Sequence, residues 1–173
     1  AVIQMRIKLI LAASPQDPLL GREPFMPLSL PLLAASAPGH EYQLIDMLAR
    51  KPHRDLEAPA DLVGISMRAT AEAAAYRLAD SFRARGVPVV LGGPQASAVP
   101  MRALEHADAV AVGEGEPLWP TMVEHAGQGD LRQLYVCGHK ELDPAGRTIH
   151  RVEELPDLGA FPLARRDLMS GRY

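Results

Sequence analysis

The chain has 173 residues, room for one ordinary domain plus an appendage, and 47% of them are hydrophobic. Only 5% are aromatic, so the core must be built mainly from Ala, Val, Leu and Ile. The 23% of charged residues leave a net charge of -3 with no sustained basic stripe, which argues against nucleic acid as a partner.

MRIKLILAA (5–13) reads as an apolar strand that feeds the turn-rich loop SPQDPLLGREP (14–24). PLSLPLLAASAPG (27–39) reads as a helix with proline near its start, stopped by Pro38 and Gly39. EYQLIDML (41–48) is a second strand, KPHRDLEAPA (51–60) a polar connection and DLVGISM (61–67) a third strand. In TAEAAAYRLADSFRARG (70–86), Ala71, Ala74, Ala75, Leu78, Ala79 and Phe82 share one helical face, with Thr70 as the expected cap and Gly86 as the stop. VPVVLGGP (87–94) supplies the fourth strand, PMRALEHA (100–107) a short helix, and DAVAVGEG (108–115) the fifth strand. PLWPTMVEHAGQG (117–129) is the last helix, with Leu118, Trp119, Met122, Val123 and Ala126 on its apolar side.

Strands rich in Val, Ile and Leu that lack alternation, interleaved with helices, predict a doubly wound five-stranded parallel sheet of flavodoxin-like or Rossmann-like type. This α/β domain is expected over residues 1–130. In the remainder, 131–173, LYVCG and RTIHRV flank DPAG and are expected to pair as a short hairpin, followed by a linker. No stretch approaches the ~20 apolar residues of a membrane span, and no signal-peptide pattern opens the sequence, so no membrane partner and a cytoplasmic location are expected.

Open sheets of this kind bind ligands beyond the carboxyl ends of their strands, where strand order reverses. Those ends carry Ser66, Met67 and Arg68 after strand three, Gly92, Gly93 and Pro94 after strand four, and Gly113, Glu114, Gly115 and Glu116 after strand five. Small residues at three neighbouring ends predict a crevice bounded by backbone. Cys137 is the only cysteine, which rules out an intrachain disulfide or a multi-cysteine metal site within these residues. The histidines, His40, His53, His106, His125, His139 and His150, lack close helical ligand spacing, so neither a metal ligand nor a catalytic residue is assigned.

DLVGISMRAT, GVPVVLGGPQASAVP and HADAVAVGEGEPLWP, followed by LPDLGAFPLARRDL, resemble the N-terminal cobalamin-binding domain of cobalamin-dependent radical SAM enzymes, and the similarity begins near Met5. The resemblance implies base-off cobalamin at the carboxyl edge of the sheet, its nucleotide tail in the crevice, in a parent enzyme that is a methyltransferase. It also implies a linker toward a downstream radical SAM barrel, which would hold the iron-sulfur cluster and S-adenosylmethionine; its CxxxCxxC motif cannot be built from Cys137. Carried over residue by residue, Ser66 and Thr70 match hydroxyls that hydrogen-bond the tail, Gly92 and Gly93 the glycines along which it passes, and Gly113 and Gly115 the turn after strand five, with Glu114 as one of its acids. Met67, Arg68 and Pro94 flank those positions. The DxHxxG loop of some other cobalamin proteins is not matched: after Asp17, Leu19 stands where the histidine would be, and Gly21 comes one residue early. Leu19 or Leu20, together with Phe25, becomes the candidate for the lower face of cobalt, and Arg22 joins Arg68 as a candidate contact to an amide or phosphate.

Plainer roles are open for the same residues. Gly92 and Gly93 suit a turn needing positive φ, Ser66 and Thr70 suit helix caps, and Glu114 and Glu116 suit a helix start. The alternative function is a flavodoxin-like domain that binds a flavin or sugar nucleotide, disfavoured because no Gly/Ser/Thr-rich phosphate cradle or GxGxxG follows the first strand. A receiver module is disfavoured because Asp17 lies in a proline-rich loop without paired acids upstream.

Overall fold

In a computed structural model, residues 3–21, 26–49, 54–154 and 157–169 are described; Arg22, Phe25 and His53 lie outside them. The apolar runs form β1 (Arg6–Leu11), β2 (Glu41–Asp46), β3 (Leu62–Ser66), β4 (Val89–Gly92), β5 (Ala109–Val112), β6 (Leu134–Cys137) and β7 (Ile149–Val152). They make one seven-stranded sheet in the order β2-β1-β3-β4-β5-β6-β7, parallel at every pairing. The chain steps from β1 outward to β2 and then inward to β3, so the order reverses between β1 and β3, a point where open sheets place ligands.

Each face of the sheet has its own core because side chains alternate along a strand. On one face α1 (Ser29–Ser36) and α5 (Trp119–Gln128) cover Leu9, Leu11, Leu62, Val90 and Ala111. On the other, α2 (Glu72–Ala84), α3 (Pro94–Ala98) and α4 (Pro100–Leu104) cover Ile10, Val63, Ile65, Leu91 and Val110. The alanine face expected for α2 is the buried one, with Ala75, Ala79 and Phe82 turned inward and Tyr76 added to them. Its expected cap is not used: Ala71 precedes α2 without a side-chain capping bond, and Thr70 bonds elsewhere. Helix α3 is an addition to the expected elements, because PQASA is short and follows directly on two glycines; Pro94 at its start supplies a preset φ.

The sheet has seven strands rather than five, and the expected hairpin is a parallel pair, Leu134↔Ile149 through Cys137↔Val152. One reversal of direction makes a hairpin, whereas this connection contains two. The first is at Gly138, where φ is 85°. The second is DPAG, where Asp143 Oδ1 accepts from the Ala145 N–H at 2.9 Å. Beyond β7 the chain returns to α1: the Arg165 N–H donates to the Pro31 carbonyl at 3.0 Å, and Leu168 and Met169 pack against the α1/α5-side core.

Gly64, in the middle of β3, creates the room that lets α5 approach. A Cβ there would lie 2.8 Å from Leu9 Cδ2 and 3.0 Å from Trp119 Cη2, so the indole sits directly on the strand. Gly64→Ala should therefore lower stability by about 1–3 kcal/mol through overpacking, measured by chemical denaturation. An unchanged midpoint would mean that the indole shifts freely.

Candidate functional site

A cavity of about 650 Å³ opens at the carboxyl edge between the sheet, α1 and α5. Strand register orders its floor in rows. Leu11, Ser66 and Gly92 pair across β1, β3 and β4 near the mouth, while Leu9, Gly64 and Val90 form the next row down. The lower row is about 6.6 Å deeper, two residues at 3.3 Å each. Ser29, Leu30 and Leu33 of α1 make one wall, and Trp119 and Met122 of α5 the other. Upper-row side chains on β3 and β4 are small, so the slot stays open between close-packed layers.

The two glycines after β4 have different physical reasons. Gly93 has φ 89° and ψ -178°, a region open essentially to glycine alone, and a Cβ there would lie 2.8 Å from Ser66 Oγ and 2.9 Å from the Met67 carbonyl. Its backbone is pressed against the end of β3, where the Met67 N–H donates to Gly92 and the Met67 carbonyl accepts from Gln95. Gly92 has no such constraint: an added Cβ would meet only Ala111 Cβ, at 3.5 Å. Gly113 repeats the first pattern, with φ 89° and room for no side chain, since a Cβ would fall only 2.6 Å from the Cys137 carbonyl. The Gly113 N–H donates to Ser97 Oγ at 3.0 Å, which ties the turn after β5 to α3.

The loops at the switch point are joined by one buried carboxylate. Asp17, in the loop after β1, is 6% exposed. Its Oδ2 accepts from Arg68 Nη2 at 2.9 Å and Thr70 Oγ1 at 3.0 Å, both in the segment after β3, and its Oδ1 accepts from the Leu19 N–H at 3.0 Å. Arg68 lines the cavity, and its Nε is buried without a hydrogen-bond partner among the described residues. Arg68 thus brings a cation to the lining of the cavity, held at one nitrogen by Asp17.

Of the residues expected at the site, Ser66, Arg68, Gly92, Gly93, Pro94, Gly113, Glu114 and Gly115 line this cavity. Leu19, Leu20, Met67 and Thr70 are not among its lining residues. Leu19 is 39% exposed on its loop, Thr70 is exposed with its hydroxyl bonded to Asp17, and Met67 is buried in the α2-side core. Glu114 and Glu116 stand on the mouth, but α5 begins only at Trp119 with no acid in its first turn, so the expected dipole role does not hold.

The deeper lining escaped the sequence reading at Gly64, Leu9, Val90 and Met122; Trp119, expected as a core residue of the last helix that could also line a tail pocket, stands among them. Strand register is the signal that could have found it: with β3 parallel to β4, Gly64 must lie one row beneath Ser66 on the same face. Behind the indole, Trp119 Nε1 donates to the Tyr42 hydroxyl at 3.3 Å, and that hydroxyl donates to the Ala37 carbonyl at 2.7 Å. Burial pushes the Tyr42 phenol up to about 12, the bond from Trp119 opposing it, so it stays protonated across the physiological range. Burial likewise raises the Cys137 thiol, which keeps it a neutral packing group beneath the Gly113 turn.

The chain is 34% identical over 115 residues to bacteriochlorophyllide d C-8(2)-methyltransferase of Chlorobaculum tepidum. The match takes in 66% of this chain and 25% of that protein, so the chain spans about a quarter of its relative's length. No family model and no solved structure matches it. Among the described residues no helix is long and apolar enough to cross a membrane, and no group of three or more His, Cys, Asp or Glu is placed to hold a metal ion.

The contrast between the two glycines is directly measurable. Gly93→Ala should cost about 1–3 kcal/mol of stability from its backbone conformation, with the close contacts adding to it. Gly92→Ala should stay within about 0.5 kcal/mol of the parent. Urea denaturation of both variants checks this, and equal losses would overturn the distinction.

Proposed function

We propose that this chain holds cobalamin at the carboxyl edge of its sheet, base-off, with the nucleotide tail in the slot between α1 and α5, as the cofactor-binding part of a radical SAM methyltransferase. The observation that carries the reading is the slot itself, which descends a full side-chain row below the strand ends along a small-residue path. An extended ligand with a bulky head and a flat end fits that shape. Gly92 and Ala111 leave the path clear, while Ser66 and Arg68 offer donors near the mouth. The similarity to a protein named for methyl transfer at C-8(2) of a bacteriochlorophyllide supports the methyltransferase part. When bound, the cofactor supplies a cobalt that carries the methyl group; the chain's own residues bind it, orient it and exclude water from its tail. The barrel, its iron-sulfur cluster and S-adenosylmethionine belong to the remainder of the proposed parent protein.

The flavin reading is less well supported. A flavin mononucleotide phosphate needs free main-chain N–H groups in the loop after β1. Here that loop folds inward around the Asp17 carboxylate, and the Leu19 N–H is already bonded to it. The base-off part rests on the absence of His40, His106, His125, His139 and His150 from the cavity lining, together with a tail that occupies the slot rather than cobalt.

Calorimetry with hydroxocobalamin and flavin mononucleotide tests the assignment: cobalamin should bind, and flavin alone binding would sink it. Gly92→Val should weaken cobalamin at least tenfold while the unfolding midpoint of the apo chain moves little, because the added methyls project into the path of the tail. Electron paramagnetic resonance of the Co(II) form should lack splitting from a nitrogen ligand. Clear coupling to one nitrogen would overturn the base-off geometry.

A further inference from the structure

The mouth of the cavity is charged unevenly. Among the described residues that line it, Arg68 is the one cation, carried on the segment after β3, and Glu114 and Glu116 are the acids, carried on the turn after β5. The ends of those strands stand two strand spacings apart, about 10 Å, because β4 lies between them. Arg68 is open to what enters, since its side chain is 29% exposed, whereas that of its partner Asp17 is 1% exposed. Asp17 accepts from Arg68 Nη2 at 2.9 Å and from Thr70 and Leu19, and it is not among the lining residues. A ligand therefore meets the arginine and not the carboxylate that steadies it. A guanidinium has N–H donors on all three of its nitrogens; with Nε buried, those open to a ligand belong to the terminal pair.

Resting on the cobalamin reading above, we propose that Arg68 recognises the phosphate group of the corrinoid tail on the β3 side of the mouth, away from Glu114 and Glu116. A phosphate is best met by a positive charge that also presents several donors in one plane, and the mouth offers that combination at Arg68. On the β5 side the same phosphate would meet two carboxylates. The uncharged amide side groups of a corrin can donate to those acids, so the uneven charge also fixes the direction in which the ligand lies. Asp17 is the positioning residue. By holding Nη2 it orders a long side chain before the ligand arrives, which removes an entropy cost that a free arginine would meet on binding.

The test titrates the 173-residue chain by calorimetry with three probes: cobalamin, cobinamide phosphate, which keeps a phosphate but has no base, and cobinamide, which has neither. Cobinamide phosphate should bind about ten- to a hundredfold more tightly than cobinamide, and the ratio should shrink as salt is raised. Arg68→Gln should bring that ratio close to one and weaken cobalamin by a similar factor; Arg68→Lys, which keeps the charge without the planar fork, should restore part of it. Asp17→Asn retains a side-chain oxygen for the Leu19 N–H and should lower the same ratio, whereas a purely structural role would weaken all three probes alike. Urea denaturation confirms that each variant is folded, and if Asp17→Asn does not fold, Thr70→Val removes one donor from that carboxylate and should lower the ratio more mildly. Glu114→Gln combined with Glu116→Gln should raise the ratio by less than about threefold, because about 10 Å of salt solution screens those acids from a phosphate at Arg68. A larger rise would put the phosphate on their side of the mouth and overturn the inference. Equal affinity for cobinamide phosphate and cobinamide, or a ratio that survives Arg68→Gln, overturns it as well while leaving corrinoid binding intact. If no corrinoid binds, the functional reading falls with it.

Discussion

The site depends on the pairing of Asp17 with Arg68. A carboxylate taken out of water is tolerated only when its oxygens are filled, and Asp17 fills them from two different loops: Leu19 from its own, and Arg68 and Thr70 from the segment after β3. Those loops flank the point where the sheet reverses order. The carboxylate joins the two loops, and it holds Arg68 by one nitrogen while the buried Nε is without a partner among the described residues. One buried charge thus links local loop structure to the electrostatics of the slot. Breaking the pair would leave a carboxylate buried without its cation and let the two loops move apart.

The strand ends show how one residue type meets two separate needs. Gly93 and Gly113 are glycines because the backbone turns through positive φ against a neighbouring strand, Ser66–Met67 in one case and Cys137 in the other. Gly64 is a glycine because the Trp119 ring lies over it, while Gly92 borders open cavity. The first pair makes the edge rigid. The second pair makes it hollow. A slot in a domain this small needs both, since a hollow edge without rigid turns would collapse and recover the packing contacts it lacks.

Much of this is legible in the sequence alone. The first five strands in the chain follow from their apolar runs, the buried face of α2 from alanine spacing, and the mouth of the slot from small residues at strand ends. What fails does so for identifiable reasons. DPAG is a genuine turn, but a turn fixes one reversal only; the second, at Gly138, makes β6 and β7 parallel. Thr70 has the chemistry of a cap, yet a buried carboxylate across the switch point is the stronger claim on its hydroxyl. Met67 falls on the opposite face from Ser66 because adjacent strand residues must. Gly64 and Trp119 lie far apart in sequence, and only their meeting across the sheet reveals the lower row.

That lower row also explains how the slot keeps its depth. Trp119 sinks onto Gly64 and is held from behind by Tyr42, so α5 cannot slide inward to close the space. Opposite it, α1 is held on its inner side by the β1 and β2 core and on its outer side by the returning C-terminal segment through Arg165 and Pro31. Both walls are therefore held by packing within the protein, Trp119 on Gly64 for one and the β1, β2 and C-terminal contacts for the other. A preformed slot spares the ligand most of the ordering cost that a flexible one would impose, which shifts selectivity from fit by adjustment to fit by shape and polarity. The apolar side of this cavity and its Arg68 side are both set by the fold itself.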